Sequence, residues 1–228
     1  MKKLFFSCII MFLCCFFISS CTDKGREDLL PQKYIDGLKN ELNNYSNAIK
    51  ENPTNINYYI ERARVETILG KKNEALKDYK KAISIEPLNY SLYKHKALIE
   101  KTLGNFVAAL EDLDKVVELT PNNSRAYIDR ANLKFSMGDY YGAIEDCNKA
   151  ITLNNNDDDY YYIRANIRRK LGDDNGAIED YTKAIELNPV NVDAYKCKAE
   201  TMDTGIGYER AVELFKKITE MTPNDANA

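Results

Sequence analysis

The 228-residue chain has no tryptophan, a single histidine and little net charge, −3 at neutral pH. One imidazole leaves little to build a metal centre or an acid–base site from, because both draw on histidine more than on any other side chain. A charge of −3 with only short basic runs excludes a broad nucleic-acid surface. There is no glycine-rich phosphate loop and no cysteine–histidine cluster. Of six cysteines, only Cys147 and Cys197 lie beyond residue 21. What remains is 44% apolar and 29% charged, with 16 tyrosines, the composition of a soluble folded body of one or two domains.

The N-terminus stands apart. Lys2 and Lys3 precede an uncharged apolar run from Leu4 to Ile18, which ends in Ser19, Ser20 and Cys21. A basic start, an apolar run and a small-residue end make a secretory signal over 1–20. Ile18-Ser19-Ser20-Cys21 resembles a bacterial lipobox. That resemblance implies cleavage before Cys21 and acylation of Cys21, so that several acyl chains hold the protein durably on a membrane. Thr22 follows Cys21, and under enteric-type sorting a residue other than Asp there directs a lipoprotein to the outer membrane. Residues 21–34 are expected to be a tether; its thirteen residues after Cys21, fully extended, reach at most about 43 Å.

A fixed period governs the rest. LGDDNGAIEDYTKAIELNP, from Leu171, nearly repeats MGDYYGAIEDCNKAITLNN, from Met137, 34 residues earlier. Gly70, Gly104, Gly138 and Gly172 share the spacing. So do two small-residue columns, Ala63, Ala97, Ala131, Ala165, Ala199 and Ala75, Ala109, Ala143, Ala177, Ala211. Tyr59, Tyr93, Tyr127, Tyr161 and Tyr195 form another column, and Pro53, Pro87, Pro121, Pro189 and Pro223 a closing one, broken only by Asn155. Within each period apolar residues recur at three- and four-residue intervals, which predicts two helices around a glycine turn, ended by the proline. A lone helical hairpin cannot bury its apolar face, so the units must stack.

These columns together resemble the tetratricopeptide repeat. The match spans 56–225 as units 56–89, 90–123, 124–157, 158–191 and 192–225. The resemblance implies an all-α superhelix, or solenoid, of five such repeats. Tyr stands where the family most often has Trp. Upstream, Leu38, Leu42, Tyr45, Ala48, Ile49 and Pro53 fit second-helix columns, so 35–55 is expected to be a capping segment with its helix over 35–50. The column Ile83, Val117, Ile151, Ile185 ends in Thr219, a polar outer face for a terminal repeat. Cys147 and Cys197 fall two repeats apart and are expected to be small packing residues.

Two charged columns run through the repeats. Counting from each unit's first residue, position 7 reads Arg62, Lys96, Arg130, Arg164, and position 23 reads Asp78, Asp112, Asp146, Asp180. In an antiparallel hairpin the two positions sit at similar depth, which predicts partly buried ion pairs; the alternative is a charged ligand groove.

In the family the first helices line a concave groove, and the resemblance places Arg64, Lys94, His95, Arg125, Ile128, Asn132, Phe135, Tyr162, Asn166 and Arg169 in it. That mixture suits an extended peptide: Asn amides both donate and accept, and aromatic and Arg side chains anchor. The Lys/Asn pattern with which some members clamp a C-terminal carboxylate is not present, since Leu98 and Asp129 take two of its places. His95 near Glu61 is a weak acid–base candidate without a nucleophile. The run Asn154–Asp159 lacks the glycine and glutamate of a calcium loop and is expected to be a turn.

No enzyme activity, cofactor or metal is expected. The expected function is a lipid-anchored scaffold, exported to the bacterial envelope, that binds another protein or extended peptide and no nucleic acid. Two other readings stand beside it, a subunit of an outer-membrane assembly machine and a glycan- or solute-binding lipoprotein.

Overall fold

The computed structural model describes residues 30–203 and 208–221. The signal, Cys21 and most of the expected tether lie outside them. Among the described residues there are eleven helices and no strand. The first, α1, is Gln32–Glu51. Five helices then open at the first residues of the five repeats: α2 (Ile56–Ile68), α4 (Tyr90–Thr102), α6 (Ser124–Met137), α8 (Asp158–Lys170) and α10 (Val192–Asp203). Each has a following partner: α3 (Lys72–Ile85), α5 (Phe106–Leu119), α7 (Tyr140–Leu153), α9 (Asp174–Leu187) and α11 (Tyr208–Met221). The chain divides after Ile99 into two compact bodies.

Local chemistry sets these boundaries. Gly138 adopts φ 83°, and Gly70, Gly104 and Gly172 adopt 75°, 79° and 80°. In that left-handed turn the Asp139 N–H reaches back to the Lys134 carbonyl at 2.9 Å and closes α6. Only a residue without Cβ takes this conformation freely. The next helix opens on a side-chain cap, as Asp139 Oδ1 accepts from Gly142 N at 3.0 Å and Asp173 Oδ1 from Gly176 N at 3.0 Å. A Cβ at Gly142 or Gly176 would run into the capping carboxylate. The repeated GD..GA phrase is thus a stop signal followed by a start signal. Asn55, Asn123 and Asp157 cap α2, α6 and α8 in the same way. Asp157 belongs to the Asn154–Asp159 run, in which Asn154 and Asp157 make turn and cap bonds, Asp158 accepts from Asn188 and Asn191, and Asp159 faces Arg125.

The helix α1 starts three residues before the expected position. Pro31 supplies the reason: its ring lacks an N–H that the first turn would leave unbonded, and its carbonyl accepts from Tyr34 N and Ile35 N at 2.8 and 3.2 Å. In the N-terminal body Ile35 and Leu38 of α1 pack on Val65 and Leu69. In the C-terminal body one core joins three helices, through Tyr127, Ile128 and Ala131 of α6, Ala143, Cys147 and Ala150 of α7, and Tyr160 and Ile167 of α8. Tyr161 of α8, Ala184 of α9 and Ala194 of α10 continue the pattern. The two alanine columns are fully or almost fully buried wherever their side chains are described, which permits close helix approach. Thr219 is exposed, whereas Val117, Ile151 and Ile185 of its column are half-buried.

The charged columns meet. Arg130 Nε and Nη2 donate to Asp146 at 2.9 and 2.6 Å, and Arg164 does the same to Asp180 at 2.9 and 2.6 Å. In the N-terminal body Arg62 grips Asp78 at 2.6 Å through both nitrogens. The bond to Asp146 holds the Arg130 guanidinium above its usual range. The remaining nitrogen of each Arg reaches the preceding second helix: Ser46 at 3.2 Å, Asp114 at 2.8 Å and Asn148 at 2.6 Å. Each arginine therefore ties three helices, a link between repeats that the columns alone do not reveal. Lys96 is half-buried in one body and Asp112 is buried in the other.

The tyrosine column completes this unit. Arg62, Arg130 and Arg164 lie 6.0, 5.8 and 5.7 Å from the ring centroids of Tyr59, Tyr127 and Tyr161. The hydroxyls of Tyr59, Tyr93, Tyr127 and Tyr161 donate to the carbonyls of Pro53, Pro87, Pro121 and Asn155 at 3.0, 3.0, 3.1 and 3.3 Å. Tyr thus acts as a strut as well as a filler.

Asp146→Ala strands Arg130 and Lys134 and is expected to cost ~3 kcal/mol, read as the denaturation midpoint. Tyr127→Phe keeps the ring and loses the hydroxyl bond, an expected cost of about 1 kcal/mol by the same measurement. A Tyr127→Phe variant as damaged as Asp146→Ala would contradict this division of roles.

Candidate functional site

The outward faces of the first helices carry the residues predicted for binding. In the N-terminal body Arg64 Nη1 donates to both Glu61 oxygens at 3.0 and 2.9 Å. That occupies the carboxylate considered as a partner for His95. The His95 ring instead stacks on Tyr79, centroids 5.8 Å apart and nearly coplanar in orientation, with Nδ1 2.7 Å from the Ser91 carbonyl. Lys94 is exposed beside it, and Leu98 presents an apolar face to solvent. Burial pushes the Tyr79 phenol up to about 12, so this tyrosine stays neutral.

The C-terminal body is more closely knit. Arg125 lies 3.5 Å from Asp129 and 3.6 Å from Asp159, and so links α6 to α8. Arg169 donates to Glu200 at 3.1 Å and links α8 to α10. The Tyr181 hydroxyl donates to Asn166 Oδ1 at 2.7 Å. The Tyr162 hydroxyl sits 3.7 Å from Cys197 Sγ, and its ring packs against Tyr181 at 5.9 Å. Burial pushes the Tyr162 phenol up to about 12. Phe135 packs against Tyr140 at 5.6 Å and is half-buried with Asn132 one turn away.

Ile128 is a correction. It was expected in the groove and is fully buried, 0% exposed, in the core shared by α6, α7 and α8. The neighbouring repeat's Tyr160 and Ile167 belong to that same core, so position 5 of repeat three faces its neighbour. Cys147 is buried, Cys197 is half-buried, and both are free thiols. Burial pushes the Cys147 thiol up to about 12.

The surface is therefore largely self-compensated: Arg64, Arg125 and Arg169 each face a carboxylate of their own body. The arrangement can offer a half-buried aromatic and amide face, from Asn132, Phe135 and Tyr162, framed by paired charges, while the Asn166 amide is held by Tyr181 and Tyr162. The signal for these pairs was partly readable. Asp159 and Arg125 stand at position 2 of successive repeats, and Arg169 and Glu200 at positions 12 and 9. The bond from Tyr181, on a second helix, was not.

Three segments match models of the tetratricopeptide repeat: residues 56–87 and 124–157 match models described as tetratricopeptide repeat, and residues 165–202 one described as TPR repeat. The chain is a tetratricopeptide-repeat protein. Such repeats build protein–protein interaction scaffolds, and the family is in general non-enzymatic. Among solved structures, MamA is 26% identical, with 75% of this chain and 94% of that chain covered and a TM-score of 0.67. YrrB, described as a tetratricopeptide protein with an unusual peptide-binding site, is 19% identical, with 79% and 93% covered and a TM-score of 0.62. The C-terminal part of a repeat protein from Cytophaga hutchinsonii is 18% identical, with 84% and 79% covered and a TM-score of 0.70. The last two likenesses concern the fold alone. Among curated proteins no sequence matches the chain.

In folded protein, alkylation is expected to modify Cys197 well before Cys147, read by mass mapping over time. Equal rates would mean that the core around α7 opens far more readily than its packing implies.

Proposed function

We propose that this chain is a lipid-anchored scaffold of the bacterial envelope that holds a partner protein against the first-helix face of its repeats. The observation that carries the binding half is the half-buried strip of Asn132, Phe135 and Tyr162, set between paired charges on α6 and α8. An extended segment can satisfy a backbone group on the Asn132 amide and place a side chain against the rings. The charge pairs flank this strip and do not compete for a neutral segment. The anchoring half rests on the Lys2-Lys3 start, the apolar run and Ser19-Ser20-Cys21. Among the described residues no helix is long and apolar enough to cross a membrane. Acylation of Cys21 is the attachment the lipobox resemblance implies, with the outer membrane the favoured destination from Thr22.

The full-length protein, extracted in detergent after crosslinking in cells, is expected to bring down one stoichiometric protein partner. Phe135→Ala with Asn132→Ala is expected to reduce that recovery at least tenfold, measured at a temperature where the variant is folded, since the loss of Phe135 packing also lowers the melting temperature. Oligosaccharide binding with no protein partner would overturn the reading in favour of solute capture. Cys21→Ser is expected to abolish incorporation of labelled fatty acid and shift the protein out of the membrane fraction. Retention of both in the variant would reject the anchor.

A further inference from the structure

Position 11 of the repeat changes sign along the chain. In repeats three and four it is Lys134 and Arg168. Lys134 Nζ lies 2.9 Å from Asp146 Oδ2 and 3.4 Å from the Gly142 carbonyl. Arg168 Nη1 lies 3.0 Å from Asp180 Oδ2 and 3.0 Å from the Gly176 carbonyl. Each of these aspartates thus holds a second cation besides the position-7 arginine. In repeats one and two, position 11 is Glu66 and Glu100, 8% and 5% exposed. Glu100 is satisfied, since its Oε2 accepts from Asn105 Nδ2 at 2.7 Å. The residue equivalent to Asn105 in repeat one is Lys71, and Glu66 Oε2 is buried with no hydrogen-bond partner.

The surroundings make an ionised Glu66 costly. Arg62, one turn earlier on α2, already donates Nε and Nη2 to Asp78 and Nη1 to Ser46. The charged groups that face Glu66 from α3 are Asp78 and Glu74, both acidic, and from the turn Lys71. On the other side α1 covers α2 with Ile35, Leu38 and Leu42. A second carboxylate here would sit beside Asp78 in place of the cation that repeats three and four supply. Burial, and after it the Asp78 charge, push the Glu66 carboxyl up from 4.5 to about 7.

We infer that Glu66 is a proton-operated latch on the α2–α3 hairpin: protonated, it is accommodated as a neutral group beside Asp78; ionised, it loosens this hairpin while repeats three and four stay closed. The direction follows from linkage. The folded-state value lies above the unfolded one, so the stabilisation is complete below 4.5 and is lost as pH rises through about 7. From pH 6 to pH 8 the opening equilibrium of the hairpin should rise roughly tenfold.

Hydrogen exchange of the full-length protein in detergent, corrected for intrinsic rates and compared at pH 6 and pH 8, reads this directly. Amides of 56–85 are expected to lose about tenfold in protection, with no comparable change over 124–153. Glu66→Gln removes the step by fixing a neutral group. Glu66→Lys removes it by copying the pairing of Lys134 with Asp146; if either variant does not fold, the other decides. His95, the sole imidazole, stacks on Tyr79 of α3, so His95→Asn is the control and should leave the step in place. A flat wild-type response, a step that survives Glu66→Gln, or a step that vanishes in His95→Asn would each overturn the latch. None of these outcomes bears on partner binding at α6 and α8.

Discussion

The structure depends on an arginine held on three sides. Arg130 grips Asp146 of its own hairpin with two nitrogens, touches Asp114 of the preceding helix with the third and lies on the Tyr127 ring. Arg164 and Arg62 repeat the arrangement. A helical hairpin of this size has no interior of its own, so every apolar contact that stabilises it is shared with a neighbour. The arginine supplies what the apolar contacts cannot, a fixed register. Guanidinium geometry allows one bidentate alignment with a carboxylate, so a slip of one residue along either helix would leave a buried charge unmatched.

The same physics explains why the presumed binding face is quieter than its composition implies. A row of Arg, Lys and Asn on the first helices reads as a ligand-seeking surface. Folded, Arg64, Arg125 and Arg169 find Glu61, Asp159 and Glu200. Charges one turn apart on α2, and on adjacent repeats for Arg125 and Arg169, stand close enough to pair, and exposed pairs of this kind contribute little to stability while they lower the net field. The half-buried strip of Asn132, Phe135 and Tyr162 between these pairs is the surface we propose for a partner.

Variation within the repeat is as informative as the repeat itself. Position 7 is basic in all five copies, but position 11 runs Glu66, Glu100, Lys134, Arg168, Met202. The aspartates of repeats three and four therefore sit among cations, while Asp78 sits beside a carboxylate. One scaffold thus holds hairpins of different electrostatic character, and the α2–α3 hairpin carries a buried carboxyl oxygen without a hydrogen-bond donor.

Much of this could be read before any coordinates. The period, the turn glycines, the small-residue columns and the pairing of positions 7 and 23 are local or strictly periodic, and period carries directly into helix spacing. Where reading by column failed, a neighbour decided the outcome. Ile128 looked groove-facing by position, yet an adjacent repeat covers it; Asn166 looked available, yet Tyr181 takes its oxygen. Pro31 moved the start of α1 because its carbonyl accepts from two following amides. The order of residues alone determined that the chain folds as stacked helical hairpins and which helix faces are apolar, since both follow from spacing along one chain. Tertiary structure alone decided which polar groups are taken up and which buried carboxyl lacks a donor, because these hydrogen bonds are satisfied in space, between residues that lie fifteen or more positions apart.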